Sequence, residues 1–222
     1  MSRNDTSRRR DWAAPIALIA LSLVPAAAGA ARLAELARGS AVTPENARFV
    51  AMPLPVILHI LAVVPYSILG ALQFAPQLRE HRRVWHRLAG YVLIPCGIVT
   101  AVSGLWMTQF YPWPDGDGIA VYLMRLGVGS AMLAFILTGI DALRRRDFAT
   151  HGVWMTRAYA LGMGAGTQVL THLPWFLLVG KPGELARATL MAAGWMINIL
   201  VAERVIRRAG APSHSTLTPA IS

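Results

Sequence analysis

The sequence predicts an all-α, polytopic membrane protein: a bundle of about six transmembrane helices with both termini in the cytoplasm. Composition is the first observation, since the 222 residues are 55% hydrophobic and 14% charged, whereas a soluble domain carries about 25% charged residues. The second is that the apolar residues form six long runs separated by short gaps. The third is that the net charge of +10 comes mostly from arginines clustered in those gaps, a pattern typical of membrane topology and not of nucleic-acid binding.

Each run is long enough to cross a hydrocarbon core of about 30 Å, which takes roughly 20 helical residues. The predicted spans are residues 12–31, 53–74, 88–110, 119–143, 153–179 and 185–206. Together they form one transmembrane domain over residues 12–206, flanked by a basic cytoplasmic tail, 1–11, and a polar cytoplasmic tail, 207–222. Proline and glycine indicate turns at residues 111–118 and 180–184.

Positive charge gives the direction of the spans. Fifteen cationic residues lie on one side of the predicted membrane and five on the other, so the side with fifteen is the cytoplasm. The localisation we expect is the bacterial inner membrane. The first span also resembles a signal peptide, but its 20 residues exceed the usual apolar stretch of about 7–15, which favours an uncleaved helix.

Four histidines are the main candidates for chemistry, because ionisable groups inside a bilayer are costly and often functional. His59 and His172 lie six and seven residues inside the outer ends of their spans, which is a depth of about 10 Å. His86 and His151 each precede a span by two residues on the inner side. The matched depths predict two pairs of histidines, while His81 and His214 read as surface residues.

These pairs suggest heme b, because two imidazoles on opposite faces of one iron hold a b-type heme and bundles build such sites between facing helices. His59 and His172 are the expected first pair of iron ligands, and His86 and His151 the second. Arg125 and Arg157 lie inside spans, where each would either neutralise a heme propionate or snorkel to the surface. The lone Cys96 rules out a CxxCH site for covalent heme.

Other interpretations of the same residues stay open. The 21 residues from His151 to His172 cover about 31 Å of helix, so a single outer heme is an alternative to two. An alternative role for His59 and His172 is an interhelical hydrogen bond, with Thr167, Gln168 or Thr171 nearby. Glycines that share a helix face with the histidines, Gly97 and Gly162 among them, leave room for a macrocycle or for close helix packing.

The functional hypotheses follow from these residues and from absent motifs. The sequence has no glycine-rich phosphate loop, GxSxG, HExxH or paired cysteines, so a membrane oxidoreductase is the enzyme class left open. The leading hypothesis is a cytochrome-like electron-transfer protein. The alternative is a small transporter or accessory subunit without heme, in which His59, Arg125, Gln168 and His172 line a path for protons or a ligand. Expected partners are the lipid bilayer, a quinone or small redox donor, or a larger membrane complex.

Four segments carry a resemblance to a known family: NARFVAMPLPVILHI, GALQF, HRLAGY from His86 and HGVWMTRAYAL from His151. They resemble bacterial predicted membrane proteins grouped as domain of unknown function twenty-three-oh-six, over roughly residues 46–172. The resemblance implies no established activity. It suggests functional positions at His59, Gln73, His86, Arg87, Gly90, His151, Trp154, Met155 and Arg157. A more distant similarity is to two-heme cytochrome b families, which spread their histidines over four helices, whereas here two lie on one predicted span.

Overall fold

The protein is a bundle of helices in its computed structural model, which describes residues 3–75, 78 and 83–210. His81 and His214 lie outside these residues. No strand occurs in the described part of the chain. The helices are α1 (Arg3–Arg38), α2 (Ala47–Ala51), α3 (Pro53–Leu72), α4 (Arg83–Phe110), α5 (Ile119–Arg144), α6 (Phe148–Gly162), α7 (Gly164–Leu178) and α8 (Glu184–Gly210).

Five of these helices, α1, α3, α4, α5 and α8, are long and apolar enough to cross a membrane. Four of them match predicted spans within a few residues, because an uninterrupted apolar run of this length has one stable form in lipid, a helix that satisfies its own backbone. The first differs more. Helix α1 starts at Arg3 and ends at Arg38, so it includes most of the predicted tail and seven residues beyond the predicted span.

The fifth predicted span is not one continuous helix. The chain forms α6 and α7 instead, with a break at Met163 between Gly162 and Gly164. A break inside a bilayer needs new partners for the backbone groups that it frees. Asn198 of α8 supplies one such partner, because its Nδ2 donates to the carbonyl of Ala160 at 3.0 Å. Its Oδ1 accepts from the side-chain hydroxyl of Thr167, on the other side of the break, at 2.6 Å.

The break places the two halves of this crossing in different surroundings. Helix α6 packs against α3, α4, α5 and α8, so it lies at the centre of the bundle. Helix α7 packs mainly against α8 and α1, at the bundle's edge. We call the end of the bundle that carries the 111–118 loop the Asp117 end, and the other the Arg144 end.

Two tyrosines fill the centre on the α6 side of the break. Tyr66 and Tyr159 are 5% and 6% exposed, with ring centroids 5.7 Å apart. The Tyr159 hydroxyl donates to the Ser67 carbonyl at 2.7 Å. A Cβ added at Gly97 or Gly162 would stand 2.8 Å from the Tyr66 ring. At these two positions the small residue serves close packing, and the ring occupies the space beside them.

Candidate functional site

A cavity of about 520 Å³ occupies the centre of the bundle at the Asp117 end. Its volume falls in the range of about 300–1,000 Å³ that small-molecule sites occupy. Helices α1, α3, α4, α5, α7 and α8 all contribute to the wall, and the residues around the Met163 break form part of it. Helix α1 provides Ser22, Pro25, Ala26 and Gly29, so without α1 the cavity would be open on one side.

Charged residues line the part of the cavity that is nearest to the 111–118 loop. The side chain of Asp117 is 2% exposed, and its two carboxylate oxygens accept hydrogen bonds from Arg125 of α5 and Arg187 of α8. The carboxylate thereby fixes two guanidinium groups from different helices, and all three residues line the cavity. A buried carboxylate with two arginines is well compensated, and each arginine keeps further N–H donors because guanidinium carries five.

A third arginine, Arg48, lines the same part of the cavity. Its guanidinium lies 4.6 Å from the centre of the Phe49 ring, and Nη1 makes only a long 3.5 Å hydrogen bond to the Pro112 carbonyl. Its Nε is buried without a hydrogen-bond partner among the described residues. Burial lowers the pKa of Arg48, and the positive charge of Arg125 lowers it further.

The loop between α1 and α2 positions Arg48. Asn46, 2% exposed, accepts a hydrogen bond from the Thr43 amide at 2.7 Å and donates to the Glu35 carboxylate at 2.5 Å. Glu35 also pairs with Arg32. The buried Asn46 side chain therefore ties α2 to the end of α1, and Arg48 follows it by two residues.

His59 lies deeper in the cavity, and its ring is held in one orientation. Nδ1 is 3.1 Å from the Thr100 carbonyl and 3.0 Å from Ser103 Oγ. The Ser103 hydroxyl donates to the Val99 carbonyl at 2.5 Å, so the network assigns the proton to His59 Nδ1. Nε2 is then an acceptor, with no hydrogen bond in the described structure. The Thr100 hydroxyl, on a residue 5% exposed, also has no partner there and belongs to the cavity wall.

The structure brings together only part of the predicted site. His59, Arg125 and Gln168 share the cavity, whereas His172 is not among its described lining residues. His172 Nδ1 lies 2.8 Å from the Gln168 carbonyl of its own helix and 3.3 Å from the Thr171 hydroxyl. Equal depth thus does not put His59 and His172 on one cavity wall.

The candidate residues predicted near the inner side of the membrane, His86, His151 and Arg157, also lie away from the cavity. His151 Nδ1 is 2.8 Å from the Gly139 carbonyl, and His86 is a half-buried residue near the start of α4. Arg157 forms two hydrogen bonds with Glu203, at 2.6 and 3.1 Å, and stacks over Trp154 at 4.7 Å. None of the three lines the cavity as described, and among the described residues no three His, Cys, Asp or Glu side chains converge as a metal site.

Sequence reasoning missed Arg48, Arg187 and Asp117 as site residues. The two arginines were interpreted as topology charges and Asp117 as part of a turn. The available signal was Asp117, which lies two residues before the start of α5 and eight residues before Arg125. A carboxylate at a membrane helix end and an arginine inside that helix are a recognisable pair.

Comparison with known families gives one match. The model described as "Predicted membrane protein (DUF2306)" matches residues 56–206, which include His59, the cavity's helices from α3 to α8 and the Met163 break. No curated protein and no solved structure matches the chain, so the similarity to cytochrome b families gains no support. Because the match covers more than half of its length, the chain belongs to the DUF2306 family of predicted membrane proteins.

Proposed function

We propose that the protein is a small membrane transporter or accessory binding subunit whose central cavity takes an amphipathic anion. The observation that carries this proposal is the cavity's polarity: arginines surround its Asp117 end, while its interior is lined by residues such as Val63, Met132 and Leu161. A ligand with an anionic head and an apolar body matches both parts. By the charge distribution of the loops, the arginines face the outside of the cell.

The interrupted helix favours transport over simple storage. Transporters commonly place their binding sites beside helices that break near the middle of the membrane. The break at Met163 lies at the cavity wall, and Asn198 bridges it through single hydrogen bonds. Movement of α7 at this point would change access to the cavity without unfolding α6.

A fluorescent amphipathic anion tests this proposal. We expect dansyl-undecanoate to bind the protein in phosphatidylcholine nanodiscs, with the neutral dansyl amide of similar size binding at least about tenfold more weakly. Ala26→Phe places a ring in the cavity and should abolish binding. Ala27→Phe changes an exposed residue next to it on α1 and should have no effect. Equal binding by the two variants, or by the two probes, would contradict the proposal.

Heme b is a second candidate occupant, and one observation favours it. His59 is anchored through Nδ1 and keeps Nε2 free, which is the arrangement of a histidine that ligates a metal. A heme would be an amphipathic dicarboxylate, with Arg48, Arg125 and Arg187 available for its propionates. It would supply one-electron chemistry when bound, and the chain's part would be to hold His59 and exclude water. Met132 or Met163, also on the wall, would supply a thioether as a further ligand to the iron.

Absorption spectra separate heme from the heme-free proposal. Protein purified after heme-supplemented expression should show reducible b-type bands if heme is the occupant. His59→Ala would then lose them, and His172→Ala, away from the cavity, would keep them. Loss of the bands in His172→Ala would restore the predicted bis-histidine pair. A colourless wild-type protein would leave the anion transporter as the function to pursue.

A further inference from the structure

The balance of charge around the cavity indicates what kind of anion it accepts. Arg48, Arg125 and Arg187 contribute three positive charges to the wall, and Asp117 contributes one negative charge. The Arg32 guanidinium is paired with Glu35, and Lys181 lies 3.8 Å from Asp115 on the exposed surface. Glu184 is exposed beside Gly118 and is not part of the described wall. The cavity therefore keeps two uncompensated positive charges.

The three arginines also differ in how many of their N–H groups already donate hydrogen bonds. Asp117 takes one N–H from Arg125 and one from Arg187. Arg48 has no carboxylate partner in the described structure, and its buried Nε donates to nothing there. A buried guanidinium N–H without an acceptor is costly, so Arg48 is the group that gains most from an arriving anion.

We propose that the cavity selects a dianionic head group of the phosphate-monoester type, with Arg48 as the residue that distinguishes it from monoanions. This inference rests on the proposed function and specifies its substrate class. A phosphate monoester carries a charge near −2 above pH 7 and offers three strong acceptor oxygens. It neutralises the two excess charges and supplies an acceptor for each of the three arginines. A carboxylate or sulfate ester leaves one charge uncompensated.

Octyl phosphate and octyl sulfate form a matched pair of probes, because they share a tail and a tetrahedral head but differ in charge at pH 8. Each is titrated below its micellar concentration into protein in phosphatidylcholine nanodiscs. Trp113 and Trp195 line the cavity, so intrinsic fluorescence reports occupancy. We expect octyl phosphate to bind at least about tenfold more tightly than octyl sulfate, the scale of one charge-assisted hydrogen bond.

Arg48→Gln should remove this preference, and Arg38→Gln, an exposed arginine at the end of α1, should keep it. Equal binding of the two probes to the wild-type protein would overturn the dianion inference while leaving the amphipathic-anion function intact. Binding of neither probe, together with failure of dansyl-undecanoate, would reject both. Retention of the preference in Arg48→Gln would assign it to other arginines and overturn the role given to Arg48. Should that variant fail to fold, the wild-type comparison alone decides the charge selectivity.

Competition by inorganic phosphate identifies the source of the head group. Displacement of octyl phosphate by millimolar inorganic phosphate would indicate that the cavity recognises soluble phosphate compounds through the head alone. If inorganic phosphate fails and long-chain lysophosphatidate competes, the ligand is a lipid with a phosphate head. Both results support the dianion inference, because the recognised group is the same.

Discussion

The two halves of the bundle differ in where the chain segment formed by α6 and α7 lies. At the Arg144 end, α6 lies among four helices, and Tyr66 and Tyr159 fill the centre. At the Asp117 end, α7 lies at the edge and a cavity takes the central position. The centre of the first half is filled by aromatic and apolar side chains, whereas the second half places ion pairs and hydrogen bonds around an open centre. One helix break therefore separates a packed half, at the Arg144 end, from a cavity half, at the Asp117 end.

The largest expected effect tests the ion pairs of the cavity half. Asp117→Ala leaves Arg125 and Arg187 without the carboxylate that joins them, and loss of one partner from a buried pair costs about 3–5 kcal/mol. Asp115→Ala is the control, since its carboxylate is 95% exposed and surface pairs contribute about 0–1 kcal/mol. The measurement is the free energy of unfolding in mixed micelles titrated with sodium dodecyl sulfate. Similar values for the two variants would contradict the assigned role of Asp117.

The next effect tests the packed half with three glycines on one face of α4. Gly97→Ala puts a methyl group 2.8 Å from the Tyr66 ring and 2.9 Å from Ile136, and overpacking of this kind costs about 1–3 kcal/mol. At Gly104 the added Cβ meets His59 at an ordinary 3.5 Å, and at Gly90 it meets nothing within 4 Å. Both alanine variants should be neutral or gain up to about 1 kcal/mol from helix propensity. A loss at Gly104 equal to that at Gly97 would mean that the two halves are packed alike.

A third prediction concerns the junction between the halves. Asn198→Ala leaves the Ala160 carbonyl and the Thr167 hydroxyl without their partner, and we expect a loss of about 1–2 kcal/mol. Thr189→Ala on the same helix removes an exposed hydroxyl that bonds only its own helix and should have little effect. Hydrogen exchange gives the sharper measurement, because opening should be faster at residues 160–167 and unchanged in α3. Uniformly faster exchange would indicate that Asn198 stabilises the whole protein and does not act specifically at the break.

The sequence alone predicts those helices whose position depends only on the length of an apolar run. Spans 53–74, 119–143 and 185–206 agree closely with α3, α5 and α8, because the cost of an unsatisfied backbone in lipid leaves one choice. The break in span 153–179 was not predictable in the same way. Glycine is tolerated in membrane helices, and the partner that permits the break, Asn198, is more than thirty residues away.

The side-chain contacts of the candidate site were also hard to predict, because the partners come from distant parts of the sequence. Counting residues predicts a depth along a span, and in the structure His59 lines the cavity. Depth says nothing about which neighbour a side chain faces, so His59 and His172 were paired although only His59 lines the cavity. Whether any of the histidines binds heme stays a prediction. Arg48 and Arg187 were missed because topology explains an arginine near the end of a span without reference to its partners. Asp117 pairs with Arg187 as well as with the predicted Arg125, and all three line the cavity.

The smallest expected effect is the pH response at the start of α6, in the packed half. Hydrogen bonds from Thr150 lower the pKa of the Asp147 carboxyl, whose side chain caps this helix. A folded-state pKa below the ordinary value of about 3.9 means that the carboxylate stabilises the fold above that value and ceases to do so as pH falls through the lowered pKa. Asp147→Asn keeps a capping oxygen but cannot titrate. Thermal unfolding at pH 7 and pH 3 should therefore show a slightly larger fall in Tm for the wild-type protein than for Asp147→Asn, because the two proteins differ only at position 147. Identical falls would show that the cap contributes nothing that depends on its charge.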